Sequence, residues 1–463
     1  MTSPSTNGVH AKTSSAGSMI LIAGIAALGG LLFGYNTGII GVAALGLGQQ
    51  FALDATSQQI VTSAIILGAL LGCLIVAPFS DRFGRRPVIA VIGILFVLGS
   101  LASAFAPTLS TLIWARFLLG FPTGAATQVI PGYIAEIAPS HHRGKMVSLF
   151  QVMVVLGITI AYFGGYPLGS DWRLMLGLGA IPAVILLIGI FALPESPRWL
   201  LTKNRTADAL KILTKLRGGR ENAQKEIDHI QQISNQPQGS WKDLAQPWIR
   251  PAVIVGTSLA MFCQITGNNA LIYYAPTIFT NAGFPSSFAV LGTGFSMLLV
   301  AIMTIIGSIL VDKVGRRRYL LWTIPGSIVA LILMGYLFMD AGPQTDFSKM
   351  LTVLCLCIYM MLNCGGFGVC IWLINAEVYP LFVRGKGGSL GAFSNWIFTL
   401  VVSLTTLSLV DSLGTTGTFW LYAVISTIAL IFIIFLVPET NGRHLEEIEE
   451  DLRQHRFYAF QQK

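Results

Sequence analysis

Asp81-Arg82-Phe83-Gly84-Arg85-Arg86 returns far downstream as Asp312-Lys313-Val314-Gly315-Arg316-Arg317, 231 residues later. Two further marks repeat in the same order. Glu136, followed by Arg143-Gly144, returns as Glu377 followed by Arg384-Gly385, and Pro194-Glu195 returns as Pro438-Glu439, at offsets of 241 and 244. Three matches in one order at nearly one spacing indicate a chain built of two homologous halves.

The marks sit between long apolar runs. Of 463 residues 54% are hydrophobic and 11% charged, against about 25% charged in an ordinary soluble chain. Stretches long enough to cross a bilayer, about 20 residues each, fall at 19–47, 60–80, 88–106, 111–135, 146–168, 174–193, 252–280, 287–311, 319–340, 350–376, 386–410 and 417–437. Twelve such segments leave too little polar sequence to coat a soluble protein. The expected fold is an all-α membrane protein of twelve transmembrane helices in two pseudo-symmetric six-helix bundles. Its parts are a tail (1–18), a first bundle (19–196), an amphipathic interlude (197–250), a second bundle (251–437) and a second tail (438–463). In a membrane protein, doubled architecture is a mark of transporters, with substrate held between the repeats near the midplane.

Charge sets the expected orientation. Of the 29 Lys and Arg residues all but Arg116, Arg173 and Lys349 fall on the side of the two termini, and the positive-inside rule makes that side cytoplasmic. The net charge of +8 is thus a topology signal and does not point to nucleic acid. Residues 1–18 have no basic stretch leading into an apolar core, so no cleavable signal peptide is expected. In the interlude Ala209, Leu210, Ile212, Leu213 and Leu216 follow a helical period, as expected for one to three short helices on the cytoplasmic face. The six Cys show no metal-ligand spacing, and Cys355, Cys357, Cys364 and Cys370 of the tenth segment read as packing. No nucleophile, metal cluster or phosphate loop is evident, so neither an enzyme nor a cofactor or metal is expected.

The repeated marks combine acids with bases. Topology anchors need no acid, yet Glu136 and Glu377 recur at matched helix ends, with Arg143 and Arg384 as the expected partners. A cytoplasmic latch of Asp81, Arg85, Glu136, Arg143 and Glu195, matched by Asp312, Arg316, Glu377, Arg384 and Glu439, would bias a rocking equilibrium between two states.

The whole series resembles the signatures of the sugar porter family of the major facilitator superfamily. It comprises Asp81 to Arg86, Pro194-Glu195-Ser196-Pro197-Arg198-Trp199-Leu200, Asp312 to Arg317, Asn375-Ala376-Glu377-Val378-Tyr379-Pro380, Val383-Arg384-Gly385-Lys386-Gly387 and Pro438-Glu439-Thr440. The resemblance implies the major facilitator fold with two six-helix bundles, a central monosaccharide site and cytoplasmic helices between the halves; a multi-pass protein of the cell membrane that works as a monomer is expected.

An uncharged, hydroxyl-covered sugar needs amides and aromatic faces. The seventh segment concentrates three amides in Gln264-Ile265-Thr266-Gly267-Asn268-Asn269, with Tyr273-Tyr274 and Pro276 just beyond; the alternative is that these amides glue helices together. By resemblance Gln264 and Asn269 match sugar-contacting positions and Tyr273 and Tyr274 an extracellular gate, while Gln151, Trp372, Asn395 and Trp396 complete the sugar site. Three positions depart from the family. Cys263 stands where a first glutamine is usual, Val300 where an asparagine is common, and the tenth segment lacks its usual prolines before Trp372. Asn268, about 40° from Gln264 on an ideal helix, is expected to replace the missing amide.

Proton-coupled members carry an Asp in the first segment near an Arg in the fourth. Here Gly34-Tyr35-Asn36 puts an amide at that place, although Arg116 is present. An amide cannot load and release a proton, so facilitated diffusion is expected, as in the similar facilitative glucose transporters. A proton- or sodium-coupled symporter using a carboxylate such as Glu136, and a non-transporting sugar sensor, are the competing classes.

Overall fold

The computed structural model describes residues 7–139, 143–234, 239–339, 345–443 and 445–461; the side chains of 7–20, 143, 145, 233, 234 and 445 lie outside that description. Among the described residues there is no strand. In chain order the helices are α1 (Asn7–Phe51), α2 (Ala55–Phe83), α3 (Arg85–Ala104), α4 (Leu109–Ile137), α5 (Arg143–Gly165), α6 (Trp172–Gly177), α7 (Ala180–Gly189), α8 (Pro197–Thr202), α9 (Thr206–Arg217), α10 (Arg220–Ser234), α11 (Arg250–Ile265), α12 (Asn268–Asn281), α13 (Ser286–Val314), α14 (Arg316–Leu337), α15 (Asp346–Glu377), α16 (Arg384–Leu436) and α17 (Leu445–Arg453).

Nine stretches among the described residues are long and apolar enough to cross a membrane. One of them, α16, is 53 residues long and is two crossings joined at Gly414, whose φ of 70° and ψ of 169° are not helical. The remaining two are α4, 29 residues long but carrying Arg116, and the α11–α12 pair, broken at Thr266-Gly267. Among the described residues this makes twelve crossings, the number that the apolar segments predict. α1 begins at Asn7 and extends into the stretch read as a tail; no proline after Pro4 interrupts it.

By contacts the chain groups into two compact units that cut across several helices. The first holds residues 1–35, 67–157 and 176–236, and the second 36–66, 158–175 and 237–463. In the first, α2 and α4 touch backbone to backbone: a Cβ at Gly68, Gly72 or Gly124 would run into the main chain of Phe117, Phe121 or Ala69. Small residues permit that approach, which is how helices gain packing where lipid removes the hydrophobic drive. The interlude helices join this unit, with Leu213, Ala223 and Ile227 forming a small core beside Leu201 and Leu210. Arg217 pairs with Glu226 at 2.6 Å and donates to the carbonyl of Ile137, an open end of α4.

The second unit has a larger core that runs from Val255, Leu259 and Phe262 of α11 through Phe367 and Ile374 of α15 to Ile433. Ile448 and Leu452 of α17 and Phe457 beyond it are buried in the same core. Arg453 lies 4.1 Å over the Trp248 ring, a cation–π contact. The C-terminal parts of α1 and α5 and the N-terminal part of α2 belong to this unit.

Candidate functional site

The seventh crossing is broken where its amides lie. Gly267 has φ 97° and ψ 8°, a left-handed conformation that glycine adopts freely, and a Cβ there would meet the Tyr422 ring. α15 grips the break from the side. Tyr359 Oη donates to the Thr266 carbonyl at 2.8 Å, Asn363 Nδ2 donates to Thr266 Oγ1 at 3.3 Å, and the Cys364 thiol donates to Asn268 Oδ1. The backbone groups freed by the missing turn are thus partly served by a neighbouring helix, as a break at membrane depth requires.

Across this break three amides form one chain. Asn269 Nδ2 donates to Gln264 Oε1 at 2.5 Å, and Gln264 Nε2 donates to Asn395 Oδ1 of α16 at 2.6 Å. Gln264 is buried and has both amide atoms engaged; Asn269 and Asn395 are half-buried. Among the described residues Asn269 Oδ1 and Asn395 Nδ2 carry no hydrogen bond. The chain therefore ends in one acceptor and one donor, a pattern suited to a ligand with hydroxyls, each of which can accept and donate.

The 40° offset expected between Asn268 and Gln264 belongs to an uninterrupted helix; with the break at Gly267 it does not apply, and Asn268 Oδ1 accepts from Cys364. Cys364 is correspondingly more than packing. Tyr359 and Asn363 were missed altogether, although an amide in an apolar segment was a legible signal at Asn363. Ser394, next to Asn395, donates to the Thr257 carbonyl at 2.9 Å and ties α16 to α11.

The other expected site residues lie on several helices. Trp396 is buried, whereas Trp372 on α15 is 44% exposed. Gln151 is half-buried on the part of α5 that belongs to the first unit. Tyr273 and Tyr274 are buried with their rings edge to face, and Tyr274 Oη donates to the Ser403 carbonyl at 2.7 Å. Asn36 on α1 and Arg116 on α4 are both buried. Among the described residues no Asp, Glu or His is buried.

The repeated charges form matching constructions, one in each unit. Arg85 meets Glu136 through two bonds, Nε to Oε2 and Nη2 to Oε1, both 3.1 Å, and meets Asp81 at 3.1 Å. Arg316 meets Glu377 in the same way, at 3.2 and 3.0 Å, and Asp312 at 3.1 Å. Such paired bonds fit the flat guanidinium to the carboxylate. The expected pairing of Glu377 with Arg384 is not found: Glu377 also accepts from Thr440 Oγ1 at 2.6 Å, and Arg384 makes no ion pair among the described residues. Arg316 wins because it starts α14 and projects back to the end of α15, while Arg384 lies beyond a turn. The expected partner of Glu136, the Arg143 side chain, lies outside the described residues.

Glu195 and Glu439 occupy equivalent places. Glu195 Oε1 accepts from the backbone N–H of Arg85 at 2.9 Å, Arg86 at 3.3 Å and Ser196 at 2.8 Å. Glu439 Oε1 accepts from the N–H of Arg316, Thr440 and Asn441, and its Oε2 from that of Arg318. Each carboxylate caps the open start of a helix, α3 or α14, where the dipole favours negative charge.

Comparison with known proteins agrees with this architecture. A family model described as "Sugar (and other) transporter" matches residues 22–452. The chain is 40% identical over 432 residues to a D-xylose transporter of Levilactobacillus brevis, covering 92% of this chain and 94% of that one. It is 36% identical to the glucose transporter GlcP of Staphylococcus epidermidis, covering 93% and 96%, and 37% identical to an arabinose-proton symporter of Escherichia coli, covering 92% of each. Among solved structures, the inward-open xylose transporter XylE of E. coli superposes with a TM-score of 0.80 at 25% identity, over 93% of this chain and 99% of that one.

Proposed function

The chain belongs to the sugar transporter family of the major facilitator superfamily, and on that premise we propose that it carries a monosaccharide, a pentose or a hexose, down its gradient by alternating access in the cell membrane with both termini cytoplasmic. Uncharged amides on α11, α12 and α16 bind the hydroxyls, with Gln151, Trp372 and Trp396 as further contacts. The relatives' names span xylose, glucose and arabinose, which supports the substrate class.

One observation carries the choice of facilitated diffusion: among the described residues no carboxylate or imidazole is buried. A coupling proton needs such a group on the transport path. Asn36, at the position where coupled members of the family carry Asp, is itself buried. Glu136, the acid a symporter reading would use, is held by two bonds to Arg85. Uptake of radiolabelled xylose, glucose and arabinose into proteoliposomes is expected to equilibrate without concentrating sugar, with or without an imposed proton gradient. Accumulation that an uncoupler abolishes would establish symport, the reading that the arabinose-proton relative favours. Asn36→Asp is expected to make exchange pH-dependent where the parent is not.

We assign the two Arg–Glu constructions to the latch that favours closure of the cytoplasmic side. Arg316 is buried and Arg85, Glu136 and Glu377 are half-buried, so each pair, with two charge-assisted hydrogen bonds, contributes about 1–3 kcal/mol, and their effect is collective. Glu136→Gln together with Glu377→Gln is expected to slow net uptake several-fold while an introduced thiol near Trp372 reacts faster from the cytoplasmic side. Unchanged labelling would reduce these charges to topology anchors.

A further inference from the structure

α2 enters the second unit bearing three polar residues that the sugar site does not use. Gln59 and Ser63 are each 3% exposed and four residues apart, on one helical face, with Gln58 beside them. Gln58 Nε2 donates to Thr277 Oγ1 of α12 at 2.8 Å. The hydroxyls of Ser63 and Ser403 lie 2.9 Å apart, and Tyr274 Oη, bonded to the Ser403 carbonyl, is 3.4 Å from that same hydroxyl.

Gln59 reaches further. With its amide turned so that each atom meets its complement, the oxygen accepts from the backbone N–H of Leu407 and Ser408, both at 2.8 Å, and the nitrogen donates to the Leu404 carbonyl at 2.9 Å. One side chain thus holds backbone groups over a full turn of α16. A second stitch nearby is of the same kind: Tyr162 Oη, on the C-terminal part of α5, donates to the Ile272 carbonyl of α12 at 2.5 Å. Gly41 of α1 leaves room for it, since a Cβ there would collide with both atoms. All of these groups are uncharged, and the contacts of Gln58, Gln59, Ser63 and Tyr162 each join a helix of the first sequence half to one of the second.

We propose that Gln58, Gln59 and Ser63 form a polar pin that shuts the transport path at the end bounded by α2, α12 and α16, with Gln59 as its positioning residue; this rests on the alternating-access reading above. Opening that end strips a buried amide of its partners at once, and the freed groups must be met by entering water. Breakage is therefore concerted, which suits a gate. Permanent glue between helices would use the same chemistry but would never need to break.

The full chain in proteoliposomes separates the two. Because the Ser63 and Ser403 hydroxyls are 2.9 Å apart, Ser63→Cys with Ser403→Cys should form a disulfide under copper phenanthroline, detected by mass spectrometry. Uptake is expected to fall more than roughly tenfold and to return with dithiothreitol, while neither single variant responds. In the double-cysteine background Gln59→Met, of similar size but without hydrogen-bonding atoms, should slow cross-linking roughly three- to tenfold, the range for one or two lost hydrogen bonds, with melting little changed. A folded double variant that does not cross-link, cross-linked protein that still transports, or a Gln59→Met rate equal to the parent's would each overturn the pin. Cross-linking is read without sugar, so a parent that takes up no sugar sinks the transport reading while the cross-linking rates still decide whether Gln59 holds this end closed.

Discussion

Gly315→Ala is expected to destabilise the protein by about 3 kcal/mol or more, and Gly84→Ala by a similar amount, combining backbone strain of about 1–3 kcal/mol with the loss of a helix cap. Gly84 has φ 101° and ψ 166°, and Gly315 has φ 99° and ψ 151°. Both lie in a region that only glycine occupies without strain. The added Cβ would also strike the carboxylate of Glu195 or Glu439. Neither can step aside freely, because each is bonded to the backbone N–H groups that begin α3 or α14. Displacing it uncaps the helix and loosens the Arg316 or Arg85 seat beside it. Gly385→Ala is the control, since Gly385 has ordinary helical geometry and nothing within 4 Å of an added Cβ. Melting of purified protein in detergent should fall sharply for the first two variants and stay level for the third. Gly315→Ala melting with Gly385→Ala would remove the claim that these glycines are set by strain and collision.

Those glycines were legible because a turn between charged helix ends leaves a local mark, and because the mark is repeated. The twelve crossings were legible for a similar reason: apolar length is a property of consecutive residues. Partners were harder. Glu136 and Glu377 were matched in sequence to the nearest arginines downstream, yet Glu377 takes Arg316, which lies 61 residues away and arrives at the end of a different helix. The same holds for the amides. That Gln264, Asn269 and Asn395 belong together was expected from type and resemblance, but the break at Gly267 decides which of them touch. The role of Cys364 depends on that break alone, and a thiol in an apolar run carries no sign of it. Gln59 shows the limit most clearly, since its partners are backbone atoms of a helix about 345 residues on.

The amide chain yields the largest expected effect on binding. Gln264 is its middle link, accepting from Asn269 and donating to Asn395, so Gln264→Ala removes one possible sugar contact and also frees the two amides meant to present the others. A buried hydrogen-bonding group left unpaired costs about 1–3 kcal/mol. The expected loss is therefore about 2–3 kcal/mol, a roughly 30- to 160-fold weaker sugar affinity in equilibrium binding to purified protein. Asn268→Ala should cost much less, because Asn268 is engaged by Cys364 outside this chain. If the three amides act as one unit, Gln264→Ala combined with Asn395→Ala should be hardly worse than Gln264→Ala alone, since coupled residues are not additive. Strictly additive losses would mean two independent contacts. Full affinity in a well-folded Gln264→Ala would mean that the amides only hold α11 to α16.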